Sequence, residues 1–173
     1  MKRIVIALTL SSVLALGACK REPPQVDIPA PMDAVAPTPT PTPPPVPQGP
    51  QPGSQAHWSQ AMQGADTIFF DTDRFNIDSE DMVALRRQAE YLLQYSNARA
   101  TVEGHADERG TREYNLALGE RRANAAKNYL VSLGVPEGRL TTVSYGEERP
   151  AVVGSNESAW ARNRRAVTVM VQR

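Results

Sequence analysis

The clearest pattern of secondary structure lies in residues 100–134, which read ATVEGHADERGTREYNLALGERRANAAKNYLVSLG. The first four residues alternate in polarity like a strand, and Gly104 is expected to end that strand. The helical spacing that follows predicts a long helix from about Arg112 to Leu133, with Gly134 as its C-terminal stop. A strand that leads through a short turn into an amphipathic helix is typical of an α/β unit.

The sequence on either side of this stretch continues the alternation of strands and helices. Residues 67–70, 140–145 and 166–171 have the β-branched and aromatic content of strands. Apolar residues recur at helical spacing over 79–95, which predicts a second main helix, and a short helix is expected over 158–163. We therefore predict a two-layer α/β (α+β) sandwich, in which a mixed four-stranded sheet is packed by two main helices.

The N-terminus has the features of a lipoprotein export signal. Lys2 and Arg3 precede an apolar run, residues 4–16, that is shorter than the roughly 20 residues needed to cross a bilayer. Small residues then lead to Cys19, and this arrangement resembles the lipobox read by bacterial lipoprotein signal peptidase. The resemblance implies that residues 1–18 are a signal peptide and that Cys19 becomes the lipidated N-terminus.

The location of the protein follows from the same cysteine. Several acyl chains on one residue hold a protein stably in a bilayer, because each buried methylene contributes about 0.8 kcal/mol. Lipoproteins with Asp after the cysteine tend to stay in the inner membrane, so Lys20 implies, by resemblance, sorting to the periplasmic face of the outer membrane. The alternative is an ordinary cleavable signal in which Cys19 is only a small apolar residue.

Prolines crowd the segment that follows, above all in residues 37–45, which read PTPTPTPPP. Proline fixes its own φ angle, so this segment is expected to populate extended polyproline II and to build no core. At about 3.1 Å per residue it could bridge on the order of 100 Å. A ligand for a proline-recognition domain is the alternative. We assign residues 19–63 to the lipidated cysteine and this linker, and residues 64–173 to the folded domain.

Composition and motifs argue against several functions. Lys plus Arg and Asp plus Glu each number 19, so the net charge gives no attraction to nucleic acid. The sequence has no His-Glu-x-x-His pattern and no nucleophile arrangement. His105 could suggest a metal ligand or a general base, but we interpret it as a strand-end residue that holds the loop through its ring nitrogens. We predict a protein that is not an enzyme and uses no cofactor, metal or nucleic acid.

The long predicted helix carries an arginine on its apolar face. Asn115, Leu118 and Arg122 fall on one face by spacing, together with Ala126, Tyr129 and Leu133. An unpaired buried guanidinium costs several kcal/mol, so Arg122 needs an anionic partner, and Asp107 is the nearest candidate in sequence. The pattern leaves two interpretations open. One is a structural ion pair; the other is a zwitterion pocket in which Asp107 binds an ammonium and Arg122 holds a carboxylate.

Two segments, 102–111 (VEGHADERGT) and 114–123 (YNLALGERRA), resemble the peptidoglycan-associated lipoproteins of Gram-negative bacteria, within the OmpA-like family. Supporting matches at 69–73 (FFDTD), 143–151 (VSYGEERPA) and 163–167 (NRRAV) extend the resemblance over essentially the whole folded part. The wider family more often has Thr where this chain has Ala106, which favours the lipoprotein branch. Arg112 departs from the proline that often opens the helix in that branch.

The resemblance implies an OmpA-like domain that binds the diaminopimelate of the peptidoglycan stem peptide, whose side chain carries an ammonium and a carboxylate. Asp107 and Arg122 match the pair that grips this group. By the same resemblance, Asn115 and Leu118 line the pocket, Asp71 and Thr72 close it from the first loop, and Arg164 lies at its edge. The implied protein tethers the outer membrane to the cell wall and binds Tol-system partners. The alternatives are a scaffold that acts mainly through protein partners and a wall-lytic enzyme.

Overall fold

The computed structural model describes residues 49–171. Within them the chain forms α1 (Gln55–Met62), β1 (Thr67–Phe69), α2 (Ser79–Gln94), β2 (Ala100–His105), α3 (Arg112–Ser132), a turn of 3₁₀ helix (Glu137–Arg139), β3 (Leu140–Gly146), α4 (Glu157–Asn163) and β4 (Arg165–Met170). The predicted signal peptide, the lipidated Cys19 and the proline run at 37–45 lie outside the described residues.

The strands form one mixed sheet in the order β1-β4-β2-β3. Strand β4 runs antiparallel to both of its neighbours, whereas β2 and β3 are parallel. Parallel neighbours need a crossover connection, and α3 supplies it. The predicted two-layer α/β domain, with a mixed four-stranded sheet and two main helices, is confirmed. This topology places the β2–α3 turn at the end of a central strand, where the candidate residues lie.

The prediction that Gly104 ends β2 is wrong, because the strand continues through His105. Gly104 lies instead where α3 crosses the strand. A Cβ atom added to Gly104 would overlap the carbonyl oxygen of Gly119 on α3, and one added to Gly119 would overlap the side chain of Ser144. Two glycines therefore let the backbones of helix and strand approach closely, and this contact fixes the height of α3 above β2.

The buried face of α3 differs in part from the predicted one. Its predicted members Asn115, Leu118, Arg122 and Ala126 are buried, and the further buried residues are Gly119, Ala123 and Leu130. Tyr129 and Leu133, which were also expected on this face, are only partly buried. After Ala126 the next buried residue is Leu130, four positions on, rather than Tyr129, three positions on. A helical period of 3.6 residues allows either step. On α2, Leu92 faces the core and the neighbouring Leu93 is exposed.

The folded domain begins earlier than residue 64, since α1 lies within the segment 19–63 that was assigned to the linker. Ser54 caps this helix by accepting a hydrogen bond from the backbone N–H of His57. The Trp58 side chain is 0% exposed, and its indole N–H donates to the carbonyl oxygen of Thr168 in β4 at 3.0 Å. Helix α1 has a weak local signature, because its two turns carry few large apolar residues.

Candidate ligand-binding pocket

A pocket of about 340 Å³ lies between the β1–α2 loop, the β2–α3 turn and the first half of α3. Five of the seven predicted pocket residues line it: Thr72, Asp107, Asn115, Leu118 and Arg122. The other two, Asp71 and Arg164, do not line the pocket. Asp71 contributes its backbone carbonyl oxygen to Arg122 rather than a side chain to the pocket, and Arg164 is buried against Asp107.

Arg122 is held in the wall of the pocket by backbone carbonyl groups. It is 1% exposed, and its Nε, Nη1 and Nη2 atoms donate to the carbonyl oxygens of Arg74, His105 and Asp71 at 2.9, 2.8 and 3.1 Å. A guanidinium has five N–H groups. Within residues 49–171 these three bonds leave one N–H on each terminal nitrogen without a protein acceptor, so two donors remain for a ligand carboxylate.

The Arg122 guanidinium stays charged at neutral pH despite its burial. Burial lowers the pKa of Arg122 to about 10, and the positive charge of Arg164 acts in the same direction, while the charge of Asp107 opposes both. The face of Arg122 lies over the Phe70 ring, with 5.2 Å between the guanidinium carbon and the ring centroid. The pocket therefore presents a fixed cation at its base.

Asp107 supplies the opposite charge and is surrounded by donors. Its Oδ1 accepts from the backbone N–H and the Nε of Arg109 at 3.1 and 2.9 Å. Its Oδ2 accepts from Arg109 Nη2 at 2.8 Å and from Arg164 Nη1 at 3.5 Å. Burial alone would raise the pKa of Asp107, but the hydrogen bonds and charge of Arg109, aided by Arg164, lower it below the ordinary value. The carboxylate is therefore ionised at neutral pH.

Asp107 and Arg122 line one pocket without forming a direct ion pair in the described part of the chain. The ion pairs of Asp107 are with Arg109 and Arg164, and the polar partners of Arg122 are the three carbonyl oxygens. The structural ion pair that the sequence left open is therefore not the arrangement observed. Both charges remain directed to the same cavity, which suits a ligand that carries one charge of each sign.

The remaining predicted residues are fixed by local contacts. Asn115 donates from its side-chain amide to the carbonyl oxygen of Arg109 and to the carboxylate of Glu147, which ties the first turn of α3 to the β2–α3 turn. Leu118 is 4% exposed and gives the pocket an apolar wall. Arg164 donates from Nε to the carbonyl oxygen of Phe70 and from Nη2 to Glu157, so it positions Asp107 from behind.

The interpretation of His105 is wrong in one respect. Its ring is buried, and within the described part of the chain neither ring nitrogen makes a well-formed hydrogen bond, so the ring does not hold the loop. The nearest carboxylate, that of Glu103, is 3.8 Å from Nε2. Burial, together with the charges of Arg165 and Arg149, lowers the pKa of His105 to about 4. It is the backbone carbonyl of His105, through Arg122, that contributes to the pocket.

Sequence reasoning missed three residues that shape the pocket. Arg109 pairs with Asp107, and Tyr114 donates from its hydroxyl to the carboxylate of Asp73 at 3.3 Å. Arg109 also donates to the hydroxyl of Thr72 at 3.3 Å, so both contacts close the β1–α2 loop over the pocket. The spacing of two residues between Asp107 and Arg109 in one turn was the available signal. The contacts to Asp73 and Thr72 join distant parts of the chain and have no local signature.

The described range, residues 49–171, offers neither a cluster of metal-ligating side chains nor a membrane-spanning helix. No group of three or more His, Cys, Asp or Glu side chains in this range is placed to hold a metal ion. None of the helices in the range is both long enough and apolar enough to cross a membrane.

The profile of the OmpA family matches residues 69–164, which include both sides of the pocket. The chain therefore belongs to the OmpA family. Among curated proteins it is 55% identical over 119 residues to the peptidoglycan-associated lipoprotein of Rhizobium meliloti, covering 69% of this chain and 66% of that one. It is 50% identical over 119 residues to the protein of the same name from Brucella melitensis, covering 70% of the latter. The aligned part thus spans about two thirds of these relatives' lengths.

Solved structures support the same fold. The crystal structure of the peptidoglycan-associated lipoprotein from Burkholderia pseudomallei is similar with a TM-score of 0.62 and 36% identity, covering 65% of this chain and 96% of that one. The cell wall anchor of the T6SS from Pseudomonas aeruginosa has a TM-score of 0.56 at 22% identity, covering 70% of this chain and all of the other, and this likeness concerns the fold alone.

Proposed function

We propose that the pocket binds the side-chain end of diaminopimelate in the peptidoglycan stem peptide, and that the chain links the outer membrane to the cell wall through a lipid on Cys19. The observation that carries the proposal is the pair of unlike charges, Asp107 and Arg122, that face one cavity and are each supported by other groups. A ligand with an ammonium and a carboxylate on the same carbon atom can pair with Asp107 and Arg122 at once, so that neither charge is left unpaired.

The chemistry of the pocket favours binding rather than catalysis. Arg122 has two N–H groups that can donate to a ligand carboxylate, and the negative charge of Asp107 attracts a ligand ammonium. Leu118 provides an apolar wall for the methylene chain that leads to the zwitterion. The nearest histidine, His105, is buried with its pKa lowered to about 4, which makes it a poor general base at neutral pH. The curated relatives also carry the name of a wall-associated lipoprotein and not of an enzyme.

Retention on the wall does not require strong binding at a single site. The wall repeats the same stem peptide many times, and a lipid on Cys19 would confine the protein to the plane of the outer membrane. A high effective concentration then converts modest affinity into stable association. The proline-rich segment within residues 19–63 serves as the spacer between lipid and domain. By resemblance, the proposal also includes Tol-system partners in the periplasm.

The proposal is tested by titrating the full-length chain with two synthetic stem tripeptides, which differ only in having diaminopimelate or lysine at the third position. Lysine retains the ammonium and lacks the carboxylate. The diaminopimelate peptide is expected to bind the wild type, and both Asp107→Asn and Arg122→Gln are expected to abolish measurable binding while circular dichroism shows a folded domain. Equal binding of both peptides by the wild type would overturn the assignment.

Arg112→Gln is a matched control for Arg122→Gln. Arg112 is an exposed arginine at the start of α3 whose partner is Glu148, outside the pocket. Removing its charge changes the net charge of the protein as much as Arg122→Gln does, without touching the pocket. Its affinity for the diaminopimelate peptide is expected to equal that of the wild type within about twofold, because exposed charges act weakly over distance at physiological salt.

A further inference from the structure

The Asp107 carboxylate has no lone pair to spare in the structure. A carboxylate offers about four acceptor positions. In this structure the backbone N–H of Arg109, its Nε, its Nη2 and the Nη1 of Arg164 fill four of them. A ligand ammonium can therefore reach Asp107 only if one of these donors leaves.

Burial decides which donor can leave. The Arg164 side chain is 8% exposed and is held on its other edges by the carbonyl oxygen of Phe70 and the carboxylate of Glu157. The Arg109 side chain is 38% exposed and lies at the mouth of the pocket. Only the Arg109 side chain can withdraw without breaking buried contacts, while its backbone N–H remains bonded to Asp107.

In the same position the Arg109 guanidinium also contacts two groups beside the pocket. Its central carbon lies 4.3 Å from the centroid of the Trp160 ring, and its Nη1 lies 3.9 Å from the carboxylate of Glu157. Trp160 is itself fixed, since its indole N–H donates to Glu108 at 3.1 Å. After leaving Asp107, the guanidinium would still have the Trp160 ring and the Glu157 carboxylate beside it, and these contacts offset part of the lost pairing.

We propose that Arg109 is an internal competitor for the ligand, and that its guanidinium occupies Asp107 in the empty pocket and must be displaced by the incoming ammonium. This inference rests on the proposed function and adds a residue that sets affinity and selectivity. A ligand that brings only an ammonium exchanges a two-bond guanidinium pair for a single contact. A zwitterion also gains the two N–H groups of Arg122, and this extra pairing favours displacement.

The test is the affinity of the full-length Arg109→Gln variant for the two stem tripeptides, compared with the wild type and with the Arg112→Gln control. Loss of a partly exposed competing pair is expected to tighten binding of the diaminopimelate peptide by roughly threefold to tenfold. The lysine peptide, which is expected not to bind the wild type measurably, should bind the variant weakly. Arg109→Lys, which keeps the charge but not the two-bond geometry, should fall between wild type and Arg109→Gln.

The ligand-free stability of the variant separates a competitor from a mere structural residue. As a competitor, Arg109→Gln should lower the melting temperature of the empty protein and yet increase the affinity for the diaminopimelate peptide. Unchanged or weaker binding by a folded Arg109→Gln variant, with binding by the wild type, would overturn the inference alone. If the wild type binds neither peptide, the proposed function fails, and the inference fails with it.

Discussion

Asp107 and Arg122 face the same pocket, and within residues 49–171 the polar partners of each are groups other than the side chain of the other residue. Asp107 accepts from Arg109 and Arg164, whereas Arg122 donates to three backbone carbonyl oxygens. Because neither charge depends on the other, a zwitterion can enter the cavity once the partly exposed Arg109 guanidinium leaves Asp107, and no Asp107–Arg122 pair has to be broken. The following predictions derive from this arrangement and from the packing that maintains it.

Binding of the diaminopimelate peptide should be nearly independent of pH between 7 and 5. The hydrogen bonds and charge of Arg109 lower the pKa of Asp107 below its ordinary value of 3.8, so the carboxylate stays ionised throughout this range and is protonated only at lower pH. Calorimetric titrations at pH 7 and pH 5 are expected to give dissociation constants within about twofold of each other. A tenfold loss of affinity at pH 5 would mean that the ammonium is bound by a group other than Asp107.

The stability of the domain should fall as the pH decreases from 6.5 to 4, because of His105. Burial lowers the pKa of His105 from 6.5 to about 4, so in this window the unfolded chain binds a proton that the folded domain does not. By linkage this contributes a loss of about 3 kcal/mol in the free energy of unfolding across the window. Urea unfolding at several pH values should show a smaller loss for His105→Gln.

Gln60→Ala provides the control for that measurement, because it changes an exposed side chain of α1 and leaves His105 in place. It is expected to keep the acid sensitivity of the wild type. Identical pH dependence in the wild type and in His105→Gln would show that His105 is not buried as a neutral ring.

Gly104→Ala should disturb both stability and binding, because the new methyl group would overlap the carbonyl oxygen of Gly119 and push α3 away from β2. Overpacking of this kind costs about 1–3 kcal/mol and more when backbone must move. Chemical unfolding should report the destabilisation, and weaker binding of the diaminopimelate peptide should follow as Arg122 shifts relative to Asp107. Gly138→Ala is the control, since a Cβ there meets nothing within 4 Å, and it should leave both quantities unchanged.

Helix α1 should stabilise the domain although it lies within the segment 19–63 that was assigned to the linker. Trp58 is 0% exposed and bonds to the carbonyl oxygen of Thr168, so Trp58→Ala leaves a large cavity and an unpaired carbonyl group. We expect a loss of about 3–5 kcal/mol in the free energy of unfolding. Gln60→Ala, on the exposed side of the same helix, should change it by less than about 0.5 kcal/mol. Equal stability of the two variants would contradict the assignment of α1 to the domain.

The sequence predicted the elements whose periodicity is long and regular. Helix α3 begins at Arg112 and α2 begins at Ser79, as expected, because capping residues and apolar spacing mark both helices. A glycine in a strand pattern can mark either the end of the strand or a close approach of another backbone. Gly104 is the second case, and only its contact with Gly119 on α3 shows this. Helix α1 was missed because it depends on tertiary burial of Trp58 rather than on a local apolar pattern.

For the site, the sequence located the main charges but not their partners. Spacing placed Arg122 on the inner face of α3, and the need for an anion pointed to Asp107. The carbonyl oxygens that hold Arg122 come from residues 17, 48 and 51 positions away in sequence, and no local pattern predicts contacts over such separations. Arg109 has no such signal, because a charged residue in an exposed turn usually contacts solvent, and its pairing with Asp107 becomes evident only in three dimensions.

The most direct test of the account is co-sedimentation of the full-length chain with purified peptidoglycan sacculi, in the presence and absence of free meso-diaminopimelate. The account predicts that the wild type pellets with sacculi and is released by excess diaminopimelate but not by 1,5-diaminopentane, which has the ammonium groups without a carboxylate. Asp107→Asn should stay in the supernatant while remaining folded, and Asp66→Asn, a carboxylate outside the pocket, should pellet like the wild type. Equal pelleting of Asp107→Asn and wild type, or no release by diaminopimelate, would contradict the account.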